Sequence, residues 1–195
     1  MASQNPRASD ARQDAVTLLK HDHRTVEELF SQFEEAEEGE HLGLAERICQ
    51  LLTVHARIEE ELLYPAAKDA LSDDEEDSEL VYEAEVEHST AKDLIAKIEG
   101  MSEPDEAYKA TVKVLSEYIK HHVKEEEGEL FPLLKKSDLD LKEIGAQLSQ
   151  RKIELMEQMG IKEEDSEESR SRGKRVGSSK SRRTGSRSST RAGRH

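Results

Sequence analysis

The sequence predicts an all-α chain: an up-down-up-down four-helix bundle, a short fifth helix and a disordered basic C-terminal tail. Three observations lead there. Four long segments repeat apolar residues at steps of three and four, the spacing of one helix face. No segment alternates apolar and polar residues with β-branched enrichment, so strand signals are absent. The joints between the four segments are short and carry the Gly, Pro and Asp that punctuate helices. Four amphipathic helices of about 20–30 residues on short connections favour antiparallel neighbours around one core.

The first run begins near Asp14 and steps through Val16, Leu19, His23, Val26, Phe30 and Phe33, until Gly39 interrupts it. The second comprises Leu44, Ile48, Leu51, His55, Ile58 and Leu62, and passes Tyr64-Pro65 into the acidic linker SDDEED. The third is Val81, Ala84, His88, Ala91, Ile95 and Ile98, stopped by Gly100 and Pro104. The fourth is Tyr108, Leu115, Tyr118 or Ile119, His122, Glu126 and Leu133. Pro65 and Pro132 are expected to kink or end their helices. A fifth helix is expected over about 138–159, packed outside the bundle. Leu141, Ile144, Leu148, Ile153 and Met156 lie on one broad face, Ser137 and Asp138 are its N-cap candidates, and Gly160 ends it. The expected organisation is therefore a flexible N-terminus over 1–13, a bundle over 14–136, an accessory helix over 138–160 and a disordered Ser/Arg-rich tail over 161–195.

Charge divides the chain in the same place. The 195 residues carry a net −15, yet residues 169–195 hold ten Arg and Lys and no acid. Residues 1–168 keep 19 basic and 44 acidic residues, a net of −25. The tail lacks interleaved aromatics, so the contacts expected of residues 169–195 are non-specific ones to nucleic acid through phosphates, or to an acidic partner, the bundle itself included. The single cysteine, Cys49, has no partner for an internal disulfide and belongs to no Cys-rich metal motif. The start MASQNPRASDARQDA has no apolar signal region, and no apolar run is long enough to span a membrane. A cytoplasmic location without membrane contact is expected.

The chemistry lies in an internal repeat. HARIEEELLYP at 55–65 aligns without a gap with HVKEEEGELFP at 122–132, and DHRTVEEL at 22–29 resembles EHSTAKDL at 87–94. The offsets are 67 and 65 residues, so helices one and two recur as helices three and four. Each helix then carries one histidine on its inward stripe, and two carry a Glu four residues after it, on the same face. Six side chains converge: His23, His55, Glu59, His88, His122 and Glu126. A lone histidine on an apolar face is usually a hydrogen-bonded core residue. Four of them, with two buried carboxylates, would leave many polar groups to satisfy, each unsatisfied one costing about 1–3 kcal/mol. A pair of cations removes that cost. Imidazole and carboxylate without thiolate suit Fe, Mn or Zn and disfavour Ca and Mg. Two carboxylates can bridge two ions while two histidines cap each, leaving positions open for an exogenous ligand.

These residues resemble the hemerythrin-like, HHE cation-binding family over about residues 14–136. The motifs are Asp22-His23, His55-x-x-x-Glu59 with Leu63-Tyr64-Pro65, Glu87-His88, and His122-x-x-x-Glu126 with Leu130-Phe131-Pro132. The resemblance implies a hemerythrin-like bundle with a non-haem centre of two iron ions, Mn or Zn being less favoured. It also implies O2, H2O2 or NO as small ligands to be bound, sensed or detoxified, and catalase-like peroxide disproportionation if the protein is an enzyme. The alternative is a non-enzymatic iron-handling or structural metal module. The sequence departs from the oxygen-carrying members at two places. The positions one turn from His88 are Ala84 and Lys92, and Glu126 and Glu127 follow His122 where those members place an Asp five residues on. A five-histidine site is absent, which argues against reversible oxygen carriage.

Helical spacing leaves Glu59 against Glu60, and Glu126 against Glu127, as a choice by analogy. Tyr118, one turn before His122, is read either as a core tyrosine or as a hydrogen-bond donor to a metal-bound oxygen species. His21, His121 and His41 are expected at the boundary or in solvent. Asp22 and Glu87 are expected on a solvated face rather than against the imidazoles, and Tyr64 and Phe131 as core caps of helix ends. No separate general base is readable.

Overall fold

The computed structural model describes residues 13–161; the expectations for the N-terminus before Gln13 and for the basic tail lie outside the described residues. The described residues form helices and the turns that join them, with no strand among them. In chain order they form α1 (Ala15–Glu35), α2 (His41–Ile58), a first π-turn (Glu59–Leu63), α3 (Tyr64–Ala70), α4 (Glu75–Glu99), α5 (Glu106–Glu125), a second π-turn (Glu126–Leu130), α6 (Phe131–Lys136) and α7 (Leu141–Gln158). Four helices start at an aspartate whose side chain accepts a backbone N–H of the first turn: Asp14 for α1, Asp74 for α4, Asp105 for α5 and Asp140 for α7. Each such cap contributes about 1 kcal/mol. The expected caps of α7, Ser137 and Asp138, precede its start. Ser137 instead closes α6, its hydroxyl donating to the Leu134 carbonyl. Gly39 turns the chain between α1 and α2 at φ 105°, a conformation that a side chain would strain.

Neither proline breaks its helix. In the first π-turn the Tyr64 N–H reaches back five residues to the Glu59 carbonyl, and in the second the Phe131 N–H reaches the Glu126 carbonyl. Pro65 and Pro132 come next and sit in the first turn of α3 and α6. The wider turn moves the carbonyl four residues back away from the pyrrolidine ring, so the chain stays helical to Ala70 and Lys136.

The core is two apolar clusters. One gathers Leu19, Val54, Ile58, Leu63, Val81, Leu130, Leu134 and Leu148; the other gathers Val26, Phe30, Ile48, Leu52, Ala91, Ile95, Val112 and Leu115. α1, α2 and α4 each feed both, and α5 does so together with the second π-turn and α6. Along α1 the chain passes from the first cluster to the second, along α2 back, along α4 forward and from α5 into the second π-turn back again. Each histidine of the repeat lies at the crossing point. α1 packs on α2, α4 on α5, and α7 lies against α1, α2 and the first π-turn.

Candidate metal centre

His23, His55, His88 and His122 are buried between the two clusters, with Glu59 wholly inaccessible and Glu126 at 2% exposure. All four imidazoles turn Nε2 inward. His23 Nε2 and His55 Nε2 are 3.2 Å apart, and His88 Nε2 and His122 Nε2 are also 3.2 Å apart. The carboxylates join these two pairs. Glu59 Oε2 lies 3.2 Å from His55 Nε2 and 3.4 Å from His88 Nε2. Glu126 Oε2 lies 3.3 Å from His23 Nε2 and 3.6 Å from His122 Nε2. Each glutamate thus faces one imidazole of each pair.

The donors fit a cation pair by a test of their own. Both carboxylate oxygens of Glu59 and Oε2 of Glu126 are buried without a hydrogen-bond partner. Such groups are costly in an apolar layer unless a positive charge meets them. Sets of His23, His55, Glu59 and Glu126, and of Glu59, His88 and His122, each bring one ligand atom per residue within 4.8 Å of one another.

Residues 14–134 match the family model of the hemerythrin HHE cation binding domain. The chain belongs to that family. A solved hemerythrin HHE cation-binding-domain protein from Mycobacterium kansasii shares the fold, with a TM-score of 0.62 at 24% identity over 73% of this chain and 87% of that one. A relative described as a DNA nickase, from Nostoc sp. (strain PCC 7120), is 30% identical over 122 residues, 60% of this chain. The match spans 32% of that relative, about a third of its length.

In this HHE domain the side chains behind the imidazoles are as ordered as those in front. His23 Nδ1 meets Glu127 Oε1 at 3.0 Å, His88 Nδ1 meets Glu60 Oε1 at 3.1 Å, and His122 Nδ1 meets Glu87 Oε2 at 2.7 Å. The fourth, His55 Nδ1, faces Asp22 Oδ2 at 3.7 Å. A carboxylate at Nδ1 fixes the tautomer that presents Nε2 as a lone pair and raises its basicity. The alternatives left by helical spacing thus separate: Glu59 and Glu126 turn inward, while Glu60 and Glu127 each cross to an imidazole of another helix. Asp22 and Glu87 are corrected from a solvated face to the backs of His55 and His122. The reason is the inter-helix gap, since the residue before each histidine points at the neighbouring helix rather than at solvent.

Three of these outer carboxylates are held by fixed cations: Glu127 by Lys20 and Arg24, Glu60 by Lys92, and Asp22 by Lys152 of α7. Hydrogen bonding from His88 holds the Glu60 carboxyl down at about 2, with Lys92 adding to it. Burial opposes the ionisation of Asp22, but Lys152, then His21 and His55, keep it well below the usual carboxylate range. Burial would likewise lower the pKa of His23 and His88. The carboxylates override it and hold both at about 9, Glu126 leading at His23 and Glu59 at His88. Protons therefore take the place that a cation would fill.

The tyrosine of the site is Tyr64, not Tyr118. Tyr64 is fully buried; its hydroxyl donates to Glu126 Oε1 at 2.9 Å and lies 3.2 Å from His88 Nε2. The wide turn puts residue 64 one turn after Glu59, on the same face. Tyr118 is half-buried against the second apolar cluster. Phe131, the repeat equivalent of Tyr64, stacks on His23 at 5.9 Å between centroids. His21 and His121 have side-chain exposures of 50% and 59%. His41 is corrected: it is buried, edge-on to Phe33 at 4.9 Å.

Beside the histidines lies a cavity of about 30 Å³ walled by Val26, Leu52, Ala91, Ile95, Ile119 and Val123. That is room enough for at least one water-sized molecule. Among the described residues no helix is long and apolar enough to cross a membrane.

Proposed function

We propose that this domain is an up-down-up-down four-helix bundle housing a cytoplasmic, non-haem di-iron centre that binds, senses or detoxifies O2, H2O2 or NO. The observation that carries the reading is the sharing of Glu59 and Glu126 between the two imidazole pairs. Two cations there would be held by His23 and His55 and by His88 and His122, with Glu59 and Glu126 within reach of both pairs. The alternating passage of α1, α2, α4 and α5 between the apolar clusters supports the bundle topology. Bound there, an iron pair would supply Lewis acidity and a reversible oxidation-state change. The protein's own part is to orient the Nε2 donors of His23, His88 and His122 through outer carboxylates, with Asp22 facing the fourth, His55. It also keeps bulk water out with two apolar clusters, and offers a water-sized apolar cavity beside the donors. In enzymatic form the reaction is disproportionation, in which two H2O2 give two waters and one O2.

The purified chain loaded with ferrous iron tests this. Two irons per chain and oxygen release from peroxide, both lost in His122→Ala, are expected. Iron bound without release above the variant assigns the site to a sensing or storage role. A chain that takes up no metal overturns the centre.

A second reading follows from the Nostoc relative and from the ten basic residues of 169–195. We propose contact with nucleic acid through phosphates, without sequence preference. Its affinity should fall steeply with salt and with deletion of 169–195. Incubation with supercoiled plasmid tests nicking at the same time. Unchanged binding by the truncated chain removes this reading.

A further inference from the structure

The repeat that builds the centre is broken at one outer carboxylate. In the first half Asp22 precedes His23 and stands behind His55; in the second half Glu87 precedes His88 and stands behind His122. Glu87 gives its Oε2 to His122 at 2.7 Å, and the nearest basic side chain beyond it is His121, 3.9 Å from the other oxygen. Asp22 is treated differently. Lys152 of α7 pairs with its Oδ1, while Oδ2 remains 3.7 Å from His55 Nδ1, too far for a hydrogen bond. His55 Nδ1 is buried and has no hydrogen-bond partner. α7 lies beyond the family match, which stops at residue 134, and nothing in the repeat supplies an equivalent lysine to the other half.

We propose that Lys152 is a positioning residue by which the accessory helix makes the two metal positions unequal: it competes with His55 for Asp22 and so makes the His23/His55 position the poorer donor set. The inference rests on the metal-centre reading above. Three imidazoles are backed by a carboxylate within hydrogen-bond distance, which raises their basicity as ligands, although Lys92 and Lys20 also hold two of those carboxylates; at the fourth, the shorter Asp22 side chain is drawn to Lys152 and its other oxygen stops 3.7 Å from His55 Nδ1. The lysine is placed by structure that has no other task at the centre. Leu148 and Leu155 of α7 are fully buried, and Gly145 lets the helix approach the chain at Gln13–Ala15 so closely that a Cβ there would stand 2.4 Å from the Gln13 carbonyl oxygen. At that approach Lys152 reaches a carboxylate only 7% exposed.

The experiment uses the full chain, iron-loaded, with Lys152→Met and Lys152→Arg, and reads Mössbauer spectra together with a stepwise ferrous titration. Tyr64 and Phe131 already make the halves differ, so inequality in the wild type is no evidence; the response to residue 152 is. The expected result is that Lys152→Met shifts one of the two iron signals and leaves the other in place. The weaker of the two binding steps should tighten by about tenfold or more, in line with the 10–100-fold reach of such outer contacts. Lys152→Arg should behave as the wild type. Signals and both binding steps unchanged in Lys152→Met, or both signals shifted alike, would overturn the proposal. Should Lys152→Met not fold, as judged by its helical circular dichroism, Lys152→Gln carries the same readout. A wild type without iron would instead sink the metal centre itself.

Discussion

At the residue scale the centre turns on adjacent glutamates with opposite roles. Glu59 is wholly inaccessible and faces His55 and His88, whereas Glu60 backs His88 and ends on Lys92. Glu126 and Glu127 divide the work in the same way around His23. The expected outcomes therefore differ in kind. Glu59→Ala or Glu126→Ala should lower the metal stoichiometry measured by elemental analysis. Glu60→Ala or Glu127→Ala should keep two metals per chain and weaken their binding about 10–100-fold in a chelator competition. Equal losses in all four variants would refute the division. The inward set was legible because His-x-x-x-Glu occurs twice and needs only helical geometry. The outer set was not, since each of its carboxylates serves a histidine on a different helix. Asp22 stands behind a residue 33 positions away and Glu127 behind one 104 positions away. No local pattern encodes that pairing.

At the element scale the four amphipathic runs and most of their stops were readable, because apolar spacing and Gly or Asp punctuation are local. The π-turns were not: EEELL and EEGEL carry helix formers and acids that fit a 3.6-residue period equally well. Their signature is the proline that follows, which a regular helix would reject. That hidden shift in register is why Tyr64 was expected as a helix cap and is found on Glu126. The accessory helix was legible as a helix, but the depth of its docking depends on Gly145, and a glycine inside a helical run says only that close approach is permitted. Gly145→Ala should be destabilising by about 1–3 kcal/mol. The added methyl meets the backbone at Gln13, Asp14 and Ala15, which can move only by displacing the start of α1. Urea denaturation followed by circular dichroism measures this. A stability equal to or above the wild type would mean that α7 rests loosely on α1.

At the scale of the whole molecule, the two apolar clusters hold a charged layer between them, and that layer makes stability depend on both pH and metal. Without metal, His23 and His88 keep their protons up to about pH 9, against an ordinary value of 6.5, and His122 is raised as well. A histidine whose folded pKa lies above its unfolded one stabilises the fold fully below about pH 6.5, and that contribution fades as the pH rises through about 9. The metal-free chain should therefore lose melting temperature steadily between those two values. As the protons leave, Glu59 and Glu126 remain buried beside neutral imidazoles, with both Glu59 oxygens and Glu126 Oε2 accepting no hydrogen bond. Metal reverses the trend, because it needs the deprotonated Nε2 and supplies positive charge in place of the proton. Iron-loaded protein should hold its melting temperature across the same interval, so the gap between loaded and metal-free melts should widen from about pH 6.5 to about 9 and narrow again on acidification. Thermal melts of both forms at three or four pH values across that interval decide the matter. A metal-free chain whose melting temperature stays level from neutral to alkaline pH would show that the layer is neutralised by something other than its own protons.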